Sequence, residues 1–108
     1  MADALKVLGQ SSPVANTLTD LYTVPALTQC AASTLMVCNR GAATTFRASI
    51  APAGAADAVQ QYQFFDTPLQ VGETKGITVG FSLATTDKVR VSSVSGTVSF
   101  SIFGAEIT

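Results

Sequence analysis

No histidine occurs anywhere in the sequence, so triads, His-ligated zinc or haem and imidazole general bases have no candidate residue. The two cysteines, Cys30 and Cys38, are too few for a disulfide scaffold or a structural zinc site. Both fall in one stretch that reads as strand, where a bridge would need a tight loop; two buried thiols is the expectation. As a nucleophile, Cys38 would need Arg40 or Arg47 to lower its pKa, and core packing is the simpler role. The acids Asp3, Asp20, Asp57, Asp66, Glu73, Asp87 and Glu106 are dispersed, each beside a turn or a terminus, which suits solvated turn residues better than an acid–base pair. No Asp-x-Asp loop of calcium type and no Gly-rich phosphate cradle is present, so no metal and no cofactor is expected. Arg40, Arg47, Lys88 and Arg90 could form a small basic patch. Without interleaved aromatics it does not read as a nucleic-acid groove; such arginines solubilise a sheet or pair with acids across an interface. The residues point away from an enzyme.

The elements that must carry these residues read as β structure. Leu5–Leu8 is a short apolar strand, followed by a loop into Leu21–Pro25, an edge strand because Pro25 cannot donate to a ladder. Ala32–Asn39 is apolar on both faces, with Leu35 and Val37 opposite Met36 and Cys38, which predicts a strand buried on both sides. After the turn Asn39–Ala42, Thr44–Ile50 alternates as a half-buried hairpin partner, with Phe46, Ala48 and Ile50 inward. Ala51–Ala58 is a loop, with one or two helical turns available over Ala55–Gln61. Tyr62–Asp66 is a strand that Thr67-Pro68 ends or kinks. Ile77, Val79, Phe81 and Leu83 share one face, Val89 and Val91 the next, and Val98, Phe100 and Ile102 the last. Short turns at Ala84–Asp87 and Val94–Gly96 predict an antiparallel meander. The pattern predicts an all-β fold, an antiparallel β-sandwich or jelly-roll-like barrel of about 7–8 strands. The 108 residues form a single domain, with residues 1–20 as an N-terminal arm or an edge strand.

Met1-Ala2-Asp3-Ala4-Leu5-Lys6 does not read as a secretory signal, and no apolar run approaches the ~18 residues of a membrane-spanning helix. The protein is expected to be made and folded in a cytoplasm, without membrane or nucleic-acid partners. Net charge is −1, only 12% of residues are charged, and 47% are hydrophobic. Disorder is thereby excluded as a class.

The segments Leu21–Ala26, Val37–Gly41, Thr45–Arg47, Ala51–Gly54 and the ending Val98–Thr108, with its Phe103-Gly104-Ala105-Glu106-Ile107 motif, resemble small virion proteins of tailed bacteriophages and prophages. The turn at Asp87 into Val89-Arg90-Val91, then a Gly turn and a Phe strand, is similar to the last strands of jelly-roll modules that assemble as trimers. The resemblance implies a non-enzymatic part of a phage particle of the capsid decoration (cement) or tail-associated type, present in many copies and located in the virion. The implied partners are further copies of itself, a trimer being the expected form, and the major capsid protein or tail and baseplate proteins.

A chain this small, apolar and poor in charge is expected to leave apolar surface uncovered when alone, and burial against neighbouring copies is the remedy. The expected contact residues are Leu5, Val7, Leu8, Phe103 and Ile107 near the ends, with Tyr22 and Arg47 as anchors. The alternative reading is a receptor- or glycan-binding module at the tail or fibre tip. It predicts exposed Tyr62, Phe64 or Phe65 beside Asp57 and Asp66 as a stacking platform.

Overall fold

A computed structural model describes residues 3–108, apart from the side chains of Asp3 and Val79. Eight strands follow in chain order: β1 (Asp3–Ser11), β2 (Thr19–Thr23), β3 (Gln29–Asn39), β4 (Thr44–Ala51), β5 (Tyr62–Leu69), β6 (Thr74–Leu83), β7 (Lys88–Ser93) and β8 (Val98–Ile107). They form two antiparallel four-stranded sheets in the orders β1-β8-β3-β6 and β2-β7-β4-β5. First pairs with last, second with seventh, third with sixth and fourth with fifth, so the chain is one long hairpin rolled into two layers. This is jelly-roll connectivity.

The inner faces hold the core. Leu35, Val37, Val98, Phe100 and Ile102 from the first sheet meet Phe46, Ala48, Val89, Val91 and Leu69 from the second. Phe46 lies with its ring centroid 6.0 Å from that of Phe100 across the layers and 5.7 Å from Phe64 on its own sheet.

Several expectations are corrected. The last three strands are not a meander, because β6 and β8 lie in one sheet and β7 in the other. Likewise β4 is not the hairpin partner of β3; it pairs with β5 and β7. The strand β3 is buried on one face only, with Leu35 and Val37 buried while Met36 and Cys38 are half-exposed. Thr67-Pro68 does not end β5, although the register with β4 shifts just before it, between Phe64 and Thr67, where Asp66 has φ 49°. The ladder with β4 continues through Pro68 to Leu69 on an outer strand of the sheet, where its missing N–H costs nothing. Ile50 is only partly buried. The Ala55–Gln61 stretch supplies a single 3₁₀ turn, Val59–Gln61, after another at Pro52–Gly54. As expected, β2 is an edge strand and Ile77, Phe81 and Leu83 point inward. Val79, expected on their face, has its side chain outside the described residues.

A row of bulges crosses the first sheet. Beside the regular strand β8, the register shifts between Val7 and Gly9 in β1 and between Ala32 and Thr34 in β3. Each extra residue reverses which face the next side chains occupy. Gly104 sits at this crease: a Cβ there would lie 2.3 Å from the Ala31 carbonyl oxygen and 2.7 Å from Ala32 Cα. Only glycine lets β8 run so close to the bulge of β3.

Candidate functional site

Residues paired across a ladder share a face, so the register fixes what the first sheet shows to solvent. One row holds Leu5, Ala105, Ala31 and Ser82, and the next holds Val7, Phe103, Thr34 and Thr78. Beyond them come Gln10, Ser101, Met36 and Gly76, then Ser99, Cys38 and Thr74, while Ile107 and Gln29 close the other end. Asp3, whose side chain lies outside the described residues, stands opposite Ile107, and Arg40 donates to Ser99 at the far end; among the described side chains, the strand positions of this face between them carry no charged group. Leu5 is 88% exposed and Val7 48%.

Four of the seven expected contact residues, Leu5, Val7, Phe103 and Ile107, therefore stand on one outer face. The other three do not. Leu8, the extra residue of the β1 bulge, turns inward and packs against the core. Tyr22 is buried between the layers, and its hydroxyl donates to Glu106 Oε2 at 2.5 Å. Arg47 belongs to the opposite sheet, where its guanidinium grips Asp66 at 2.6 and 3.2 Å.

Glu106 also accepts Lys6 Nζ at 2.9 Å, so one carboxylate ties β1, β2 and β8 together at the open end of the sandwich. The hydroxyl of Tyr22 and the ammonium of Lys6 hold this carboxyl below the usual glutamate range. Burial, and then the hydrogen bond to Glu106, push the Tyr22 phenol well above its ordinary value. Cys30, inward on β3, has its thiol raised by burial. Cys30 and Cys38 stand on opposite faces of β3, because the bulge lies between them, and both are free. Only Cys30 is buried, a correction to the expectation of two buried thiols.

The outer face of the second sheet has the opposite character. Asp20 takes Lys88 Nζ at 2.9 Å and Arg90 Nε at 3.1 Å. Arg90 also donates to the carbonyls of Gly54 and Ala55, fastening the β4–β5 connection over the sheet. Arg40 lies elsewhere, donating to Ser99, Ser12 and the Gly96 carbonyl. The four cations thus form no free basic patch; three are paired with acids of their own chain, Lys88 and Arg90 sharing Asp20. Nor are all the acids turn residues. Asp87 is one, accepting the N–H groups of Ala53 and Ala84, but Asp20, Asp66 and Glu106 lie within strands.

A cleft of about 250 Å³ opens on this second face, lined among others by Asn16, Arg47, Asp57, Tyr62, Asp66 and Ser92. Of the aromatics expected to form a platform, only Tyr62 lines the cleft; Phe65 packs edge to face on it from outside the lining, ring centroids 5.2 Å apart, and Phe64 packs inward on Phe46. No group of three or more metal-ligating side chains occurs among the described residues.

No family model matches the chain, and no curated protein or solved structure matches it either. The residues that sequence reasoning missed are Ala31, Thr34, Met36 and Ala105 on the uncharged face and Glu106 at the clasp. Small and hydroxyl residues carry no individual signal. A ladder register places them; composition cannot.

Proposed function

We propose that the chain is a non-enzymatic structural protein of a bacteriophage particle, and that it self-associates by burying the outer face of β1-β8-β3-β6 against further copies of itself. The observation that carries the reading is the uncharged character of that face, from Leu5 through Phe103 and Met36, on a molecule whose other face is laced with ions. The central rows of the face, from Leu5 to Met36, meet their own copy with no like-charge repulsion and no ion to desolvate, while Arg40, donating to Ser99, stands at one end. Four strands about 4.8 Å apart and about eight residues long at ~3.3 Å each give roughly 500 Å² in projection. That is the order of the ~800 Å² per partner that stable interfaces bury. The phage assignment and the trimer come from the resemblance of the segments ending in Phe103–Ile107. In the virion, the assembled unit docks on the major capsid protein or on tail and baseplate proteins and stabilises the particle by adding buried area at each repeat.

Light scattering on the purified chain tests the self-association. The expected result is an oligomer at micromolar concentration, a trimer in the favoured form. The double variant Leu5→Glu/Phe103→Glu is expected to be monomeric with an unchanged β-sheet circular dichroism spectrum, while Val59→Glu, 87% exposed on the β4–β5 connection, stays oligomeric. A monodisperse wild-type monomer overturns the reading.

A further inference from the structure

The cleft on the second sheet gathers polar and aromatic groups from several elements. Tyr62 and Asp66 come from β5, Arg47 from β4, Ser92 from β7, Asn16 from the β1–β2 connection and Asp57 from the β4–β5 connection, with Phe65 outside the lining but packed edge to face on Tyr62. The array is held in place before any ligand arrives. Arg47 lies 3.9 Å over the Phe65 ring and grips Asp66, while the Tyr62 hydroxyl donates to Asp57 Oδ2 at 3.0 Å. Asp66 adopts φ 49° to present its carboxylate, a left-handed conformation that a non-glycine residue enters at a cost. Asn16 also has positive φ, with its N–H bonded to the Ser93 carbonyl at 2.8 Å. The Asn16 amide and the Thr45 and Ser92 hydroxyls make no side-chain hydrogen bond to the described residues. Phe65 remains 57% exposed, with Arg47 over one face of its ring.

This lining selects among ligand classes. An anion would meet the carboxylates of Asp57 and Asp66 and a single guanidinium already neutralised by one of them. An apolar ligand would leave the amide, hydroxyls and carboxylates unpaired, a cost of about 1–3 kcal/mol for each polar group. Drug-sized ligands use pockets of about 300–1,000 Å³, and at about 250 Å³ this cleft has room for a single ring. Planar donors and acceptors spaced around an aromatic wall match vicinal hydroxyls on a puckered ring whose C–H face is apolar. We infer that the cleft formed by Asn16, Arg47, Asp57, Tyr62 and Asp66 binds a neutral pyranose sugar. The site lies on the layer opposite the uncharged face, so association through that face leaves it open, and it stands independently of the oligomeric state.

Amide chemical-shift titration of the full chain with glucose, galactose, mannose, rhamnose and N-acetylglucosamine at millimolar concentrations tests the inference, with inorganic phosphate as the competing probe. At least one sugar is expected to give saturable shifts at Asn16, Arg47, Asp57, Tyr62 and Ser92. Asp57→Ala and Asn16→Gly, both at exposed lining positions, are expected to weaken that binding about tenfold each at unchanged melting temperature, and Leu27→Ala, remote and 92% exposed, leaves it intact. If no sugar saturates, if phosphate alone does, or if both cleft variants bind like the wild type, the inference is overturned.

Discussion

Asn39 shows what a single residue contributes to this sandwich. It is 1% exposed, yet its amide donates to the carbonyls of Ala42 and Gln70, both at 2.9 Å, and accepts the Gly41 N–H and the Thr97 hydroxyl. One side chain thereby joins the β3–β4 turn, the β5–β6 connection and the β7–β8 turn. Asn39→Ala would strand several buried polar groups at once, and urea unfolding is expected to show a loss of about 2–4 kcal/mol. Asn39→Asp should cost nearly as much, since it replaces a donor by an acceptor facing two carbonyl oxygens. The sequence places Asn39 where a strand passes into a turn, and it is the last residue of β3 before that turn, but its burial depends on two loops distant in sequence and is invisible there. The cysteines give a second prediction at this scale. A thiol reagent at neutral pH is expected to label Cys38 in the native protein and to reach Cys30, buried and with its thiol raised, only after denaturant is added, as counted by mass spectrometry.

Strands were legible where alternation is strict, as in Val98–Ile102, because period two states which side chains face the core. It does not state which of two layers a strand joins. Strands β6, β7 and β8 each show one apolar face and short turns between them, so a meander and an alternation between layers look the same in the sequence. Bulges defeat the pattern differently. The extra residue between Ala32 and Thr34 reverses the phase within β3, so Cys30 and Ala32 face the core with Leu35 and Val37; beyond it, Met36 and Cys38 are apolar residues of the half-exposed outer face, which makes the run look buried on both sides. The clasp at the end of β8 yields a prediction of its own. Glu106 titrates below the ordinary value of 4.5 because the folded state stabilises its carboxylate. A depressed folded pKa adds stability that is complete above the unfolded value and disappears as pH falls through the folded one. Stability of the wild type should therefore decline below about pH 4.5, with Asp20, lowered chiefly by Lys88, acting in the same direction. Glu106→Gln should lose about 1–2 kcal/mol near neutral pH and show a shallower acid decline, measured as urea midpoints across the acid range.

At the scale of the whole molecule, the two outer faces divide the surface chemistry. Low overall charge is readable from composition, but its distribution is not: the ions collect around Asp20, Lys88, Arg90, Arg47 and Asp66 on one layer's outer face, whereas the central rows of the other outer face hold Leu5, Val7, Phe103, Ala105 and hydroxyl residues and the Lys6–Glu106 pair clasps its edge. This asymmetry separates two kinds of association by their response to salt. Contacts made through the ion-rich face would weaken as screening increases, because at about 1 M salt the screening length shrinks to about 3 Å. Contacts made through the central rows of the uncharged face have no charge to screen, and sulfate strengthens such burial by its exclusion from apolar surface. Sedimentation equilibrium is therefore expected to show association of the wild type unchanged by about 1 M sodium chloride and tightened by sodium sulfate, with a negative heat-capacity change in calorimetric dilution. Self-association that dissolves in sodium chloride would instead place the contact on the β2-β7-β4-β5 layer. The uncharged face would then need another occupant.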